Sequence, residues 1–183
     1  YMKKIARLEK FYQYAFPMQA ALLTSSDKPS KTNIITVAWH MPISKKPPLF
    51  GVSIAPSRHS HTLIEKSKEF VVNFAPYRLV EKIHFCGTHS GRNSDKQKEA
   101  NLTFIDSKKV KSKSIKECFS HLECKLYDLI TLGDHSLIVG EVLNVSYTDN
   151  IFKQDILDIS KIKPCFYLGN KIYSDLSGKK KSF

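Results

Sequence analysis

Residues 48–74 read PLFGVSIAPSRHSHTLIEKSKEFVVNF, and the rest of the chain is organised around them. Leu49 to Ile54 is apolar and flanked by prolines, the pattern of a strand covered on both faces. Pro56 ends it, and a short helix follows with Ser57 or Ser60 as its cap, Thr62 and Glu65 at capping-box spacing, and Leu63 and Ile64 as its apolar positions. Glu69 to Phe74 returns as a β-prone run. The start of this helix carries Arg58, His59 and His61, where the positive end of a helix dipole favours acidic neighbours. Cations there cost stability unless an anion sits between them and the free backbone N–H groups. Hydroxyls of Ser57, Ser60 and Thr62 add donors, so the turn reads as a phosphate site on a helix N-terminus. A solvated turn whose serine is only a cap is the alternative.

Upstream, residues 3–14 place Ile5, Leu8, Phe11 and Tyr12 at roughly helical spacing, ended by Pro17. Met18 to Thr24 and Thr32 to Met41 read as strands, with SSDKPSK (25–31) as the turn between them and ISKKPP (43–48) as a second connection. Downstream, Arg78 to Phe85 has the spacing of a short helix, GTHSGRN (87–93) is a polar loop, and Asp95 to Ala100 forms a helical turn. The lysine-rich stretch 106–116 is the least ordered-looking part of the interior. His121 to Leu132 and Ser136 to Tyr147 read as strands joined at Gly133-Asp134-His135, with Gly140 marking a bulge. KPCFYLGNKIY (163–173) is a last apolar segment before the tail SGKKKSF. The pattern predicts a mainly β barrel with helical insertions, in one domain over 1–183 with its core at about 18–175. A doubly wound sheet would need more helix and a glycine fingerprint, and neither GxGxxG nor a Walker loop is present.

No apolar run approaches the length of a membrane span, and the N-terminal residues lack a signal-peptide pattern, so a cytoplasmic protein is expected. Cys86, Cys118, Cys124 and Cys165 show no metal-ligand spacing and read as buried free thiols; no metal site is expected, since His59 and His61 lack a third ligand nearby. The net charge of +12 points to anionic partners. It is carried almost wholly by lysine, with arginine only at positions 7, 58, 78 and 92, whereas base reading and bidentate phosphate contacts favour arginine. A basic β-barrel that binds nucleic acid without a cofactor remains a reading from another class.

Four stretches, in order, carry a family likeness: TNIITVAW (32–39), the stretch 47–74 that includes the helix turn, SGRNSDKQKEANLTF (90–104) and HLECKLYDLITLGDHSLIVGEVLNV (121–145). Together they resemble the flavin reductase-like, FMN-binding split-barrel family, which includes flavoredoxins. The resemblance implies a six-stranded Greek-key split barrel, usually a homodimer, holding FMN near the subunit interface. It assigns the phosphate clamp to Ser57, Arg58, His59 and Ser60, with Ser53 nearby. Thr36, Val37, Ala38 and Trp39 would lie along the isoalloxazine with Asn33 in support, and Ser90, Gly91, Arg92 and Lys96 would close over the cofactor. His135 would be the catalytic residue, placed to meet a nicotinamide or a partner. His40, next to Trp39, is expected to face away from the ring. Departures stand at Asn93, Ser94 and Gln97, where the family loop is acidic, apolar and aromatic, at Ser60, where threonine is commoner, and at Cys118 in place of a small alanine. With no Ser-His-Asp set or carboxylate pair in a recognisable motif, the hard chemistry falls to a cofactor. The implied activity is an NAD(P)H-dependent FMN oxidoreductase; the alternative is a flavoredoxin-like electron carrier reduced by an acidic protein partner.

Overall fold

The structure, a computed structural model, describes residues 2–28 and 31–176. In chain order the elements are a 3₁₀ segment Leu8–Ala15, β1 (Met18–Gln19), β2 (Ala21–Lys28), β3 (Lys31–Val37), β4 (His40–Ser44), β5 (Leu49–Ile54), α1 (His59–Ser67) and β6 (Glu69–Phe74). They continue with α2 (Val80–Thr88), α3 (Lys96–Glu99), β7 (Phe104–Ile105), β8 (Ser114–Ile115), β9 (Ser120–Leu132) and β10 (His135–Tyr147). Two short hairpins finish the described chain: β11 (Phe152–Lys153) with β12 (Ile156–Leu157), and β13 (Phe166–Gly169) with β14 (Ile172–Ser174).

The main sheet is antiparallel with strand order β3-β2-β6-β9-β10-β5-β4. Its two edges, β3 and β4, are consecutive in sequence and separated only by Ala38 and Trp39. Val37 and His40 are three Cα–Cα steps apart, at most about 11 Å, so the edges must meet and the sheet must roll up. The result is the mainly β split barrel with helical insertions anticipated from sequence. The sheet has seven strands because the run 32–41, read as one strand, breaks at Ala38-Trp39 into β3 and β4. The seam formed there is where the functional cleft opens.

Residues 21–26 of β2 are buried on both faces, which explains the unbroken apolar run at its start. Ala21 and Leu23 face a barrel core with Val37, Val52, Ile54, Phe70, Val72 and Ile138. Leu22 packs outward with Ile34, Ile83, Cys86, Leu102 and Ile115 beneath α2. All four cysteines are buried and free. The ladder between β9 and β10 shifts register at Val139/Gly140, as the glycine suggested, and a Cβ on Gly140 would lie 2.5 Å from Phe70 Cζ.

Several boundaries differ from expectation. The first strand is cut at Ala20, whose N–H donates to the Cys165 carbonyl, so β1 joins β13 while β2 joins β3 and β6. The N-terminal segment is helical only from Leu8, as a 3₁₀ turn with no buried residue. The 25–31 stretch is mostly strand, and its middle residues 29–30, like the tail 177–183, lie outside the described residues. The β9–β10 turn is only Gly133-Asp134, with Gly133 at φ +64° and His135 already paired with Leu132. The lysine-rich stretch is held in place, against expectation: Glu123 accepts from the Lys108 and Lys109 N–H groups, Glu69 from those of Lys111 and Ser112, and Thr24 donates to the Lys113 carbonyl. Carboxylates distant in sequence supply the order that local composition lacks.

Candidate functional site

At the seam the backbone of β3, the Ala38-Trp39 link and β5 form one wall of a cavity of about 330 Å³. Thr36, Val37, Ala38, Trp39, Ser53, Arg58 and His135 line it. The Ser53 N–H donates to the Trp39 carbonyl (2.9 Å), which carries pairing across the link. The Trp39 ring lies 5.0 Å from the His135 imidazole and 5.5 Å from Tyr12. His135 Nδ1 is 2.8 Å from Asp134 Oδ1, which orients the ring, and that contact holds the exposed Asp134 carboxyl below its ordinary pKa. His40 points elsewhere, as anticipated, with Nε2 on the Gln19 carbonyl and its ring stacked on Phe50.

A smaller, polar chamber of about 130 Å³ adjoins the first and shares Ile35, Arg58, Gly87 and Thr88 with it. Asn33, Ser57, His59, Ser60, Ser90, Gly91, Arg92 and Lys96 also line it. Every sequence-selected site residue therefore borders one of two connected chambers. The α1 helix begins at His59 with Arg58 as its N-cap in extended conformation, no side-chain cap and no acidic residue in the first turn. This corrects the expected cap at Ser57 or Ser60. Ser60 is buried inside the helix and accepts a 2.7 Å bond from Asn33 Nδ2, so a tertiary partner has taken the hydroxyl that would cap. Thr62 and Glu65 fall past the start, so they form no capping box.

Loop residues contribute differently from what charge alone suggests. Arg92 Nη1 donates to the Ser57 carbonyl (3.0 Å), latching the 90–94 turn onto the α1 entry. Lys96 is buried, and its Nζ donates to the carbonyls of Ile34 (2.7 Å) and Cys86 (2.8 Å), tying α3 to β3 and to the last turn of α2. Burial pushes its pKa down, and the Arg58 charge acts in the same direction. Thr36 Oγ1 donates to the Ile83 carbonyl (2.5 Å), holding α2 against β3 where Gly87 lies close above it. Among the described residues Arg58, Arg92 and Lys96 have no carboxylate partner. Among the described residues the buried Asn33 Oδ1 has no hydrogen-bond partner. The chamber thus gathers uncompensated positive charge around a helix N-terminus, the electrostatics of an anion site.

Residues not selected from sequence close the large chamber: Tyr12 and Phe16 from the N-terminal segment, His84 from α2, and Tyr167, Lys171 and Tyr173 from the last hairpin. His84 Nδ1 lies 3.4 Å from Tyr173 Oη, and burial pushes the Tyr173 phenol up to about 12. The apolar segment 163–173 was the available signal for the hairpin; nothing local marked Tyr12, Phe16 or His84.

The model of the flavin reductase like domain matches residues 13–172. An uncharacterized protein of Archaeoglobus fulgidus is 40% identical over 148 residues, spanning 81% of this chain and 82% of that one. One of Pyrococcus abyssi is 35% identical over 142 residues, spanning 78% and 81%. Among solved structures, an FMN-binding protein of Thermus thermophilus with bound 1-cyclohex-2-enone superposes with a TM-score of 0.82 at 26% identity, covering 100% of this chain and 98% of that one. The flavoredoxin of Desulfovibrio vulgaris (Miyazaki F) shares the fold, with a TM-score of 0.87 at 24% identity and coverage of 99% and 97%. A barrel rolled shut at a two-residue link, the cleft along that link and the match over most of the chain agree: this chain belongs to the flavin reductase like domain family.

Proposed function

We propose that the protein is an FMN-binding oxidoreductase, an NAD(P)H-dependent flavin reductase. The observation that carries this reading is the pair of joined chambers, one aromatic and one cationic at a helix N-terminus. Their separation of apolar and cationic surfaces matches a planar ring joined to a phosphate ester. FMN, when bound, supplies the capacity to accept and pass on two electrons. Arg58, the first N–H groups of α1 and the Ser90–Arg92 turn hold the phosphate, while Lys96 fixes the wall behind it. The backbone of Thr36–Trp39 supports the ring and offers hydrogen bonds at its edge. His135, oriented by Asp134 beside Trp39, positions the nicotinamide and excludes water from that side.

The second reading is an electron carrier reduced by an acidic protein, favoured by the net charge of +12. A homodimer is part of the proposal. Exposed Tyr127, Ile130, Leu132 and Val145 on the β9–β10 hairpin, with Leu8 and Phe11 on the N-terminal segment, offer apolar surface for it. A single-domain organisation and a cytoplasmic location complete it. Visible absorbance of the purified protein with FMN tests the cofactor; a colourless protein that takes up no FMN refutes the reading. Anaerobic addition of NADH or NADPH then separates the two roles. Bleaching within seconds supports the reductase, and an unchanged spectrum supports the carrier.

A further inference from the structure

One rim of the barrel, where β6 begins and β9 passes beside it, carries Lys68, Lys108, Lys109, Lys111 and Lys125, all exposed and none within an ion pair among the described residues. Lys68 caps α1 in the left-handed region (φ +61°) and its carbonyl accepts from Leu126, while Lys125 pairs across the sheet with Glu69. The other three lie on the loop between β7 and β8. Asp106 on this stretch pairs with Lys113, and two further acidic residues beside the rim, Glu69 and Glu123, are turned to a different task. The buried Glu123 accepts from two loop N–H groups and from Asn144 Nδ2, and Glu69 accepts from two more. Backbone amides occupy both carboxylates, and the lysine ammonium groups are left to face solvent. The loop follows α3 by way of residues 100–103 and β7, and Lys96 ties α3 to the wall of the cationic chamber. The lysines thus stand on a fixed backbone continuous with the site.

We propose that this lysine rim is the docking surface for an acidic protein partner that exchanges electrons with the protein; the inference rests on the flavoprotein reading above. A fixed array of one sign steers an oppositely charged protein without ordering the loop first. The segment 106–116 contains neither arginine nor an aromatic residue. It therefore lacks the bidentate phosphate fork and the stacking platform that nucleic acid uses.

The probe is fluorescently labelled poly-L-glutamate, with binding read by anisotropy at about 20 mM and about 150 mM salt. The variant Lys108→Glu/Lys109→Glu/Lys111→Glu is compared with Lys10→Glu/Lys45→Glu/Lys153→Glu, which changes net charge equally at exposed lysines elsewhere. The rim variant should weaken binding about 10-fold or more, and the control less than about 3-fold. Equal losses in the two triples would overturn the proposal, as would tighter, rim-dependent binding of single-stranded RNA. FMN affinity, measured by quenching of Trp39, should be the same in both triples and the parent. Absence of FMN binding in the parent would overturn the electron exchange together with the flavin reading, whereas equal losses in the two triples with FMN bound would overturn the rim assignment alone.

Discussion

Arg58→Ala tests the cationic chamber most directly. The Arg58 backbone caps α1, and its side chain borders both chambers. In the proposed site, truncation would remove a charged hydrogen bond to a phosphate ester, a contribution of about 1.5–3 kcal/mol, equivalent to about a 10- to 150-fold rise in Kd. The lower half of that range is expected. Arg58 also disfavours the Lys96 ammonium, so its removal favours the charged form of Lys96, which keeps positive charge behind the phosphate and offsets part of the loss. Trp39 is the one tryptophan in the chain and lines the large chamber, so quenching of its fluorescence follows flavin uptake without labels. Titrations with FMN and with riboflavin, which lacks the phosphate, divide the effect. Arg58→Ala should weaken FMN by about 10-fold and leave riboflavin unchanged. Parallel weakening of both ligands, or of neither, would refute the assignment of the small chamber to phosphate.

Gly91→Ala should disturb the same chamber by sterics, because its Cβ would fall 1.8 Å from Asn33 Oδ1 on a side chain tethered to Ser60. A displaced loop and an overpacking cost of about 1–3 kcal/mol are expected, read as a lower thermal midpoint together with weaker FMN quenching. The thiols should be inert in the folded protein. Burial raises Cys86 to about 11, Cys124 to about 12 and Cys165 to about 11, and pushes Cys118 higher still. A chromogenic disulfide reagent at pH 8 should therefore report four thiols only after denaturation; fast native reaction would contradict the packing. Burial also lowers the pKa of His40 and His121 from 6.5. The unfolded chain then binds more protons below that value, so their contribution is full above about pH 6.5 and is lost as pH falls through the lowered values. Urea midpoints should drop between pH 7.5 and pH 5.5, with a shallower drop in His121→Gln; identical slopes would refute the burial argument.

Local pattern was enough to read β5, the α1 position and β6 from the stretch 49–74, because each is a short periodic run closed by proline, serine or lysine-rich breaks. It also showed the cation-bearing helix start, since arginine and histidine at a dipole's positive end are anomalous on any fold. The roles within the site were decided elsewhere. Ser60 looked like a cap until Asn33, 27 residues away, took its hydroxyl, and Lys96, which the resemblance set over the cofactor, has its ammonium held by two carbonyls from β3 and α2. The lysine loop looked loose because the carboxylates that hold it come from β6 and β9. Periodicity reports which face of an element is buried, whereas a hydrogen bond between distant segments depends on how the sheet rolls. That closure placed Tyr12, Phe16, His84 and Tyr173 around the cleft, and only the tertiary structure brought them there.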